Sequence, residues 1–391
     1  MQHNGNLNVL CMTISNTIAV TANAFWIMFM PYYFERLFGS SELVGVFFSF
    51  VALSTAILFP LGGKIADTIG RDALILGGRL LAVLGPLTIL FPVIINLSYQ
   101  TILIFSLAGY LLVFAGGALR LPAASMLLME SSKPGKKTRN YMIAERVLPS
   151  IPPALTVYLG ALLFVAGTIE VALLLGALGL ALSSIPLIFI EDNIEVPTPQ
   201  VSIFKESKHS RIDILLAVII LAFVFDGISS QGLSWYIPLY LGEANALVYG
   251  LMISLSTLVI ALFSLISGLL VDHVGIRKSL VPGWLGLAIV VTIFGMIVNP
   301  IYSIILYCVW VALDTVDTAI PPLIVSQEYP QNERATKMGI FSMVVRSSLF
   351  IGPFLVAILL TINPQLPFFA KAIMNILAAI IILIFAPREQ S

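Results

Sequence analysis

Charge is what this chain has least of. Asp, Glu, Lys and Arg make up 10% of its 391 residues, against about 25% in soluble domains, while 59% are hydrophobic and the mean hydropathy is +1.02. That balance excludes a soluble globular protein and points to an integral membrane one. Cysteine is nearly missing too: Cys11 and Cys308 both fall in apolar runs and supply neither a disulfide framework nor a thiolate metal site. His3, His209 and His273 are dispersed, so no metal cluster and no cofactor are expected. There is no G-x-x-x-x-G-K-[ST] phosphate loop, which argues against direct use of ATP. The sequence also offers no nucleophile-base set of the kind an enzyme needs. Met1 to Asn6 lacks the basic stretch of a cleavable signal peptide, so the first apolar segment is expected to stay in the mature chain. A formal net charge of zero gives no reason to expect a nucleic-acid partner.

What the chain does have is long apolar runs. A bilayer core of about 30 Å takes roughly 20 apolar residues in a helix. Twelve such runs are expected near 7–34, 42–64, 73–95, 100–130, 139–166, 170–190, 212–241, 246–271, 279–299, 302–329, 336–362 and 366–386. The longest polar break, 191–211, is charged and carries prolines, as a linker between two halves should. The expected domains are a six-helix half at 1–190, the linker 191–211 and a second six-helix half at 212–391.

Twelve spans put both termini on one side. Of twenty basic residues, fifteen fall at the loops that include Lys64 and Arg71, Arg79, Lys133 to Arg139, the linker, Arg277 and Lys278, Arg334 and Lys337, and the C-terminus. Only Arg36 and Lys371 map to the other side. The positive-inside rule places those loops and both termini in the cytoplasm, in a multi-pass protein of the cytoplasmic membrane.

The halves repeat each other. GKIADTIGR, from Gly63 to Arg71, and GLLVDHVGIRK, from Gly268 to Lys278, share Gly, Asp and Gly at an offset of 205 residues, and Gly45 and Gly250 keep that offset. Pro122, Arg146 and Pro153 recur as Pro322, Arg346 and Pro353 at an offset of 200. One fold unit is written twice. Gly70 and Gly275 supply the backbone freedom of a tight turn, and Asp67 and Asp272 are placed to accept from helix-end N–H groups.

Twelve helices as six plus six, with G-x-x-x-D-x-x-G-R between the second and third helices of each half, resemble the major facilitator superfamily over essentially the whole chain. The resemblance implies an all-α membrane fold of two pseudo-symmetric six-helix bundles, with the repeated loops latching the halves during alternating access. It makes Gly63, Asp67, Gly70, Arg71, Gly268, Asp272, Gly275 and Arg277 candidate gating residues. Helix-end Glu130 and Glu328 read as latch partners of Arg139, Arg334 or the loops. Thr68 and Asp72 stand where the family's first copy usually has basic residues, so a weaker or differently paired latch is expected.

A charge at mid-bilayer costs about 2.5–3.5 kcal/mol on insertion scales, so retained ones face a cavity or a partner. Asp226, Asp314, Asp317 and Arg120 are all near mid-depth. On the tenth run, Tyr307, Trp310, Asp314 and Asp317 share one helical face; Asp226 and Tyr236 share a stripe on the seventh, with Gln231 beside it. Asn16 and Asn23 add polar groups on the first. In the family, helices 1, 4, 7 and 10 line the central cavity, which implies an amphipathic site with aromatic walls.

Three roles stay open for the carboxylates: proton coupling, favoured at Asp314 and Asp317 because two acids one turn apart resist joint ionisation; an ion pair with Arg120 acting as a gate; or substrate contact. Arg120 is expected to neutralise those acids, with bidentate binding of a substrate anion as the alternative. Glu145 and Arg146 with Arg346 read as interhelical or interfacial pairs within snorkelling reach.

Drug-exporting antiporters of the superfamily carry G-P-x-x-G-G on helix 5; here Pro152 to Val157 reads PPALTV. The expected function is therefore secondary transport of a small organic solute, proton-coupled, by a monomer. Metabolite uptake is preferred to drug efflux by antiport, and a transporter-like receptor is the reading from a different class.

Overall fold

Helix ends fall where turn chemistry puts them. The computed structural model describes residues 2–132, 136–192, 210–297, 299–318 and 320–385. Among them eleven helices are long and apolar enough to cross a membrane: α1 (Asn6–Phe38), α2 (Ser41–Ile69), α3 (Arg71–Ile94), α4 (Tyr99–Glu130), α5 (Lys137–Val165), α6 (Ile169–Phe189), α7 (Ala217–Leu241), α8 (Glu243–Val271), α9 (Ile276–Met296), α11 (Gln331–Ile362) and α12 (Leu366–Phe385). A shorter apolar helix, α10 (Ile301–Asp314), stands between α9 and α11. No strand occurs among the described residues. Ser40 and Ser98 cap α2 and α4 by accepting from Leu43 N and Thr101 N. Gly70 and Gly275, one from each copy of the repeat, turn with φ of 103° and 87° before α3 and α9, a backbone region that L side chains avoid.

Prolines set the internal breaks. The tenth run is not the continuous helix expected at 302–329. It stops at Asp314, and a separate short helix runs Ile320–Glu328. Pro321 and Pro322 cannot donate to carbonyls one turn back, so the chain unwinds before them and restarts with proline in the first turn. In α5, Pro149 withholds its donor from the carbonyl at Glu145, and the five residues Ile143–Val147 form a π-turn. α1 is also interrupted, by a 3₁₀ turn at Ile27–Phe29.

The outer surface is apolar, with Ile94, Leu155 and Ile188 among the large side chains left open, while Asn16, Arg79, Asp226, Lys371 and Asn375 are buried. In lipid, apolar side chains gain little by meeting each other, and close packing of small residues takes over. Gly78 and Gly116 bring α3 and α4 into backbone contact. A Cβ on Gly116 would lie 2.3 Å from the Gly78 carbonyl oxygen, and one on Gly78 would lie 2.9 Å from Arg120 Cβ. Across the halves, Gly45 packs on Trp235 of α7, and Gly250 packs on Ala161 of α5. The repeated glycines are therefore contact points between the halves.

Candidate functional site

At the end of the bundle that carries the first motif copy, Gly63 of α2 lies so close to α11 that a Cβ would meet the Ala335 carbonyl oxygen at 2.3 Å. That approach delivers Asp67 to the first turn of α11, where its carboxylate accepts from Thr336 N and Thr336 Oγ1, both at 2.7 Å. The N-terminal end of a helix carries positive partial charge, so this is a favourable seat for an anion. Arg71, fully buried, donates to Glu130 at 2.7 Å and to the Gln331 carbonyl at 3.1 Å. Glu130 also accepts from Arg334 at 3.2 Å and from Gln331 Nε2 at 2.9 Å. Thr68 bonds back to carbonyls of its own helix and Asp72 accepts from Ala73 N, so neither joins this cluster. In the second copy, Gly275 makes the turn and Arg277 is half-buried. The side chains of Asp272, Glu328 and Gln231, and the surroundings of Gly268, lie outside what is described.

At the opposite end, Arg36 of α1 pairs with Glu243 at the start of α8 and lies 4.7 Å from the centroid of the Phe164 ring. Tyr32 donates to the Gly242 carbonyl at 3.4 Å and packs against Phe164 and Tyr249. Both ends therefore carry contacts between the halves.

The middle holds two distinct polar centres. In the N-terminal half, the Asn16 amide oxygen accepts from Arg79 Nη2 and Arg120 Nη1, each at 3.1 Å, while its Nδ2 donates to Glu145 at 2.8 Å. The π-turn re-aims Glu145 toward α1, and the Gly78–Gly116 contact sets the two guanidinium groups side by side. Arg120 forms no salt bridge with Asp226, Asp314 or Asp317 among the described residues. The expectation that it neutralises those acids fails because they have another cation.

That cation is Lys371 of α12. It is fully buried, with Nζ 3.3 Å from Asp226 Oδ1 and 5.5 Å from the centroid of the Trp310 ring. Carboxylate oxygens of Asp226, Asp314 and Asp317 all lie within 4.8 Å of one another. Asp314 ends α10 and Asp317 sits in the break that follows, so both residues lie at a helix C-terminus, where partial negative charge opposes a carboxylate. Asp314 Oδ1 is buried without a hydrogen-bond partner among the described residues. Arg146 of α5 adds positive charge to the field there from the other half.

Two adjoining cavities lie between the halves. One, of about 220 Å³, is walled by Phe48, Tyr110, Phe114, Trp235 and Tyr249; the other, of about 250 Å³, is lined by Asn23, Arg79, Arg120 and Phe114. Arg346 of α11 borders both. Trp310, Tyr307 and Tyr236 border neither: Tyr307 and Trp310 pack with Phe294, and Tyr236 donates to the Pro364 carbonyl at 3.0 Å.

Arg79 and Lys371, which the sequence places at the two membrane faces, are instead buried inside the bundle. Counting depth would have found Arg79, two helical turns beyond Arg71. Asn375, one turn after Lys371, was the sign that this side of α12 is polar and inward. Arg346, expected as an interhelical or interfacial partner, borders the central cavities.

Residues 215–391 match the family model described as Major Facilitator Superfamily. No curated protein matches the chain in sequence. Among solved structures, that of the human organic anion transporter MFSD10 (TETRAN) aligns with a TM-score of 0.72 over 97% of this chain and 99% of that one. At 13% identity this is a likeness of fold. The family match covers residues 215–391 and the fold likeness nearly the full length, so this is a multi-pass membrane protein with the fold of that human transporter, and its C-terminal part matches the Major Facilitator Superfamily.

Proposed function

We propose that the protein moves a small amphipathic organic solute across the cytoplasmic membrane by alternating access, driven by protons, with uptake as the working direction. The halves 1–190 and 212–391 rock about the central cavities as a monomer. The Asp67, Arg71 and Glu130 cluster acts as the latch on the cytoplasmic face, where the positive-inside rule also puts both termini. The name of the human fold relative, an organic anion transporter, agrees with a solute that carries negative charge.

The observation that carries the proton reading is the acidic triad. Three carboxylates within 4.8 Å share one buried ammonium and two of them sit at a helix C-terminus. Such a set does not hold three negative charges in a low-dielectric interior. Lys371 accounts for Asp226, which leaves Asp314 and Asp317 to carry the exchangeable proton. Because Asp317 sits in the interruption that follows α10, loading and unloading that proton would act where the tenth run is not held by helical hydrogen bonds.

The test is solute uptake into proteoliposomes under an imposed pH gradient, acid on the side from which solute enters. We expect gradient-driven accumulation to vanish in Asp314→Asn or Asp317→Asn, while exchange of labelled for unlabelled solute survives. Gradient-driven accumulation that persists in both variants, or that follows a sodium gradient instead, overturns proton coupling at this site.

A further inference from the structure

We infer that Arg79 and Arg120 form a buried oxyanion site, completed by Arg346 from the other half, that grips the acidic head group of an amphipathic organic anion. The inference names the substrate class for the transport reading above and rests on it.

Four observations carry it. Three arginines border the paired cavities, yet no Asp or Glu is among the lining residues. Arg79 is 5% exposed and its Nε has no hydrogen-bond partner among the described residues, so a donor in a water-poor site is left unused. Buried polar groups are normally paired, and an orphan donor on a residue that lines a cavity marks a place short of an acceptor. The two guanidinium groups converge at 3.1 Å on a single neutral oxygen, that of Asn16. One amide oxygen is a weak acceptor for two cations; a carboxylate, sulfonate or phosphate brings two or three oxygens and the missing charge. Glu145 contributes one negative charge, but it binds Asn16 instead of forming a salt bridge with either arginine.

The aromatic cavity of about 220 Å³ supplies the body of the site. Phe48 of α2 and Trp235 of α7 lie parallel, with ring centroids 6.3 Å apart and planes 9° apart, and Tyr110, Phe114 and Met28 add apolar wall. A ligand with an aryl or branched aliphatic body would lie against these rings with its head group toward Arg79 and Arg120. Arg346, whose guanidinium carbon is 5.5 Å from the centroid of the Phe59 ring, would meet the head group from α11. An anion seated there neutralises like charges drawn from both halves, which ties binding to their closing together. Asn16 then acts as the occupant of the empty site, giving up its oxygen to the incoming head group.

The test uses the purified full chain in detergent with no gradient, so it is blind to whether protons drive transport. Thermal unfolding is followed with a panel of aryl carboxylates, sulfonates and phosphate monoesters, each beside its neutral amide or alcohol isostere. We expect anions to raise Tm and their isosteres to leave it unchanged. In Arg79→Gln and Arg120→Gln the anion effect should fall at least tenfold in apparent affinity. Without ligand, these variants should melt no lower than the parent, because each removes one of two adjacent desolvated cations. Arg120→Lys, which keeps the charge and loses the planar fork, should lose part of the affinity. Carboxylates binding and phosphates failing, or the reverse, assigns the head group within the class and supports the site. Equal stabilisation by anions and isosteres, no response to any anion, or ligand-free variants that melt well below the parent while still responding to anions would overturn it.

Discussion

The two halves share a backbone plan and differ in charge. In the N-terminal half, Arg79 and Arg120 crowd around Asn16, and the nearest carboxylate, Glu145, is held by that same amide. In the C-terminal half, Asp226, Asp314 and Asp317 crowd around Lys371. One centre has cations in excess and the other carboxylates. The repeat copies what builds the scaffold: the turn glycines Gly70 and Gly275, the contact glycines Gly45 and Gly250, and the prolines Pro122 with Pro322 and Pro153 with Pro353. It does not copy the central charges, apart from Arg146 and Arg346. In the function proposed above, the duplicated residues build the frame that rocks, and the unduplicated ones are assigned to the solute and the proton. Opposite excess in the two halves would also let an anion and a proton bind at separate centres without sharing a residue.

The comparison breaks most sharply at the paired centre. Lys371→Met leaves Asp226 beside two other carboxylates with no ammonium. Removing one partner of a buried pair costs about 3–5 kcal/mol. We expect that loss in denaturant unfolding of the purified protein, with most of it recovered in the double variant Asp226→Asn with Lys371→Met. Arg120→Gln should show no such loss. Equal destabilisation in the two halves would mean that both centres are structural pairs and that the charge contrast has no functional content.

Most of the scaffold was legible because hydropathy and turn residues act locally. Eleven spans, the two motif turns and the proline break in α5 can be read from runs and single residues. The break in the tenth run was harder, since Asp314 to Thr318 is short and flanked by apolar sequence; its signal was the double proline Pro321 and Pro322, which frees carbonyls one turn upstream. The central site was only partly legible. Asp226, Asp314, Asp317 and Arg120 stand out as charges at mid-depth. Their partners do not, because pairing depends on which faces of α3, α7 and α12 meet, and no local pattern encodes that. Arg79 and Lys371 were misplaced for one reason: long basic side chains a turn or two from a helix end look like interfacial anchors, and only packing shows that they point inward.

A second pair of regions sharpens the picture at intermediate cost. At the motif end, Asp67 seats on the first turn of α11 through two 2.7 Å hydrogen bonds. Asp67→Ala removes the acceptor for a helix-end N–H, a change of the kind that costs about 0.5–2 kcal/mol. That energy is spent only when this end is closed, so its loss should shift the population toward conformers open at the motif end. Labelling of a cysteine placed at Lys337 by a membrane-impermeant maleimide should speed up several-fold in inside-out vesicles. An unchanged labelling rate would remove Asp67 from the latch.

The opposite end should answer more weakly. Arg36 and Glu243 are joined by a salt bridge, but their side chains are 51% and 45% exposed. Water and salt screen such a pair, and exposed ion pairs are worth about 0.2–1 kcal/mol. Arg36→Ala also removes the guanidinium from the face of Phe164, a contact whose worth at an exposed site is similarly small. We therefore expect Arg36→Ala to change labelling of the opposite face less than Asp67→Ala changes the motif end. Its effect should shrink further as salt is raised, whereas the buried Asp67 contact should be insensitive. A large, salt-resistant effect at Arg36 would move the main barrier between the two open states to this end and reverse the order of the two gates.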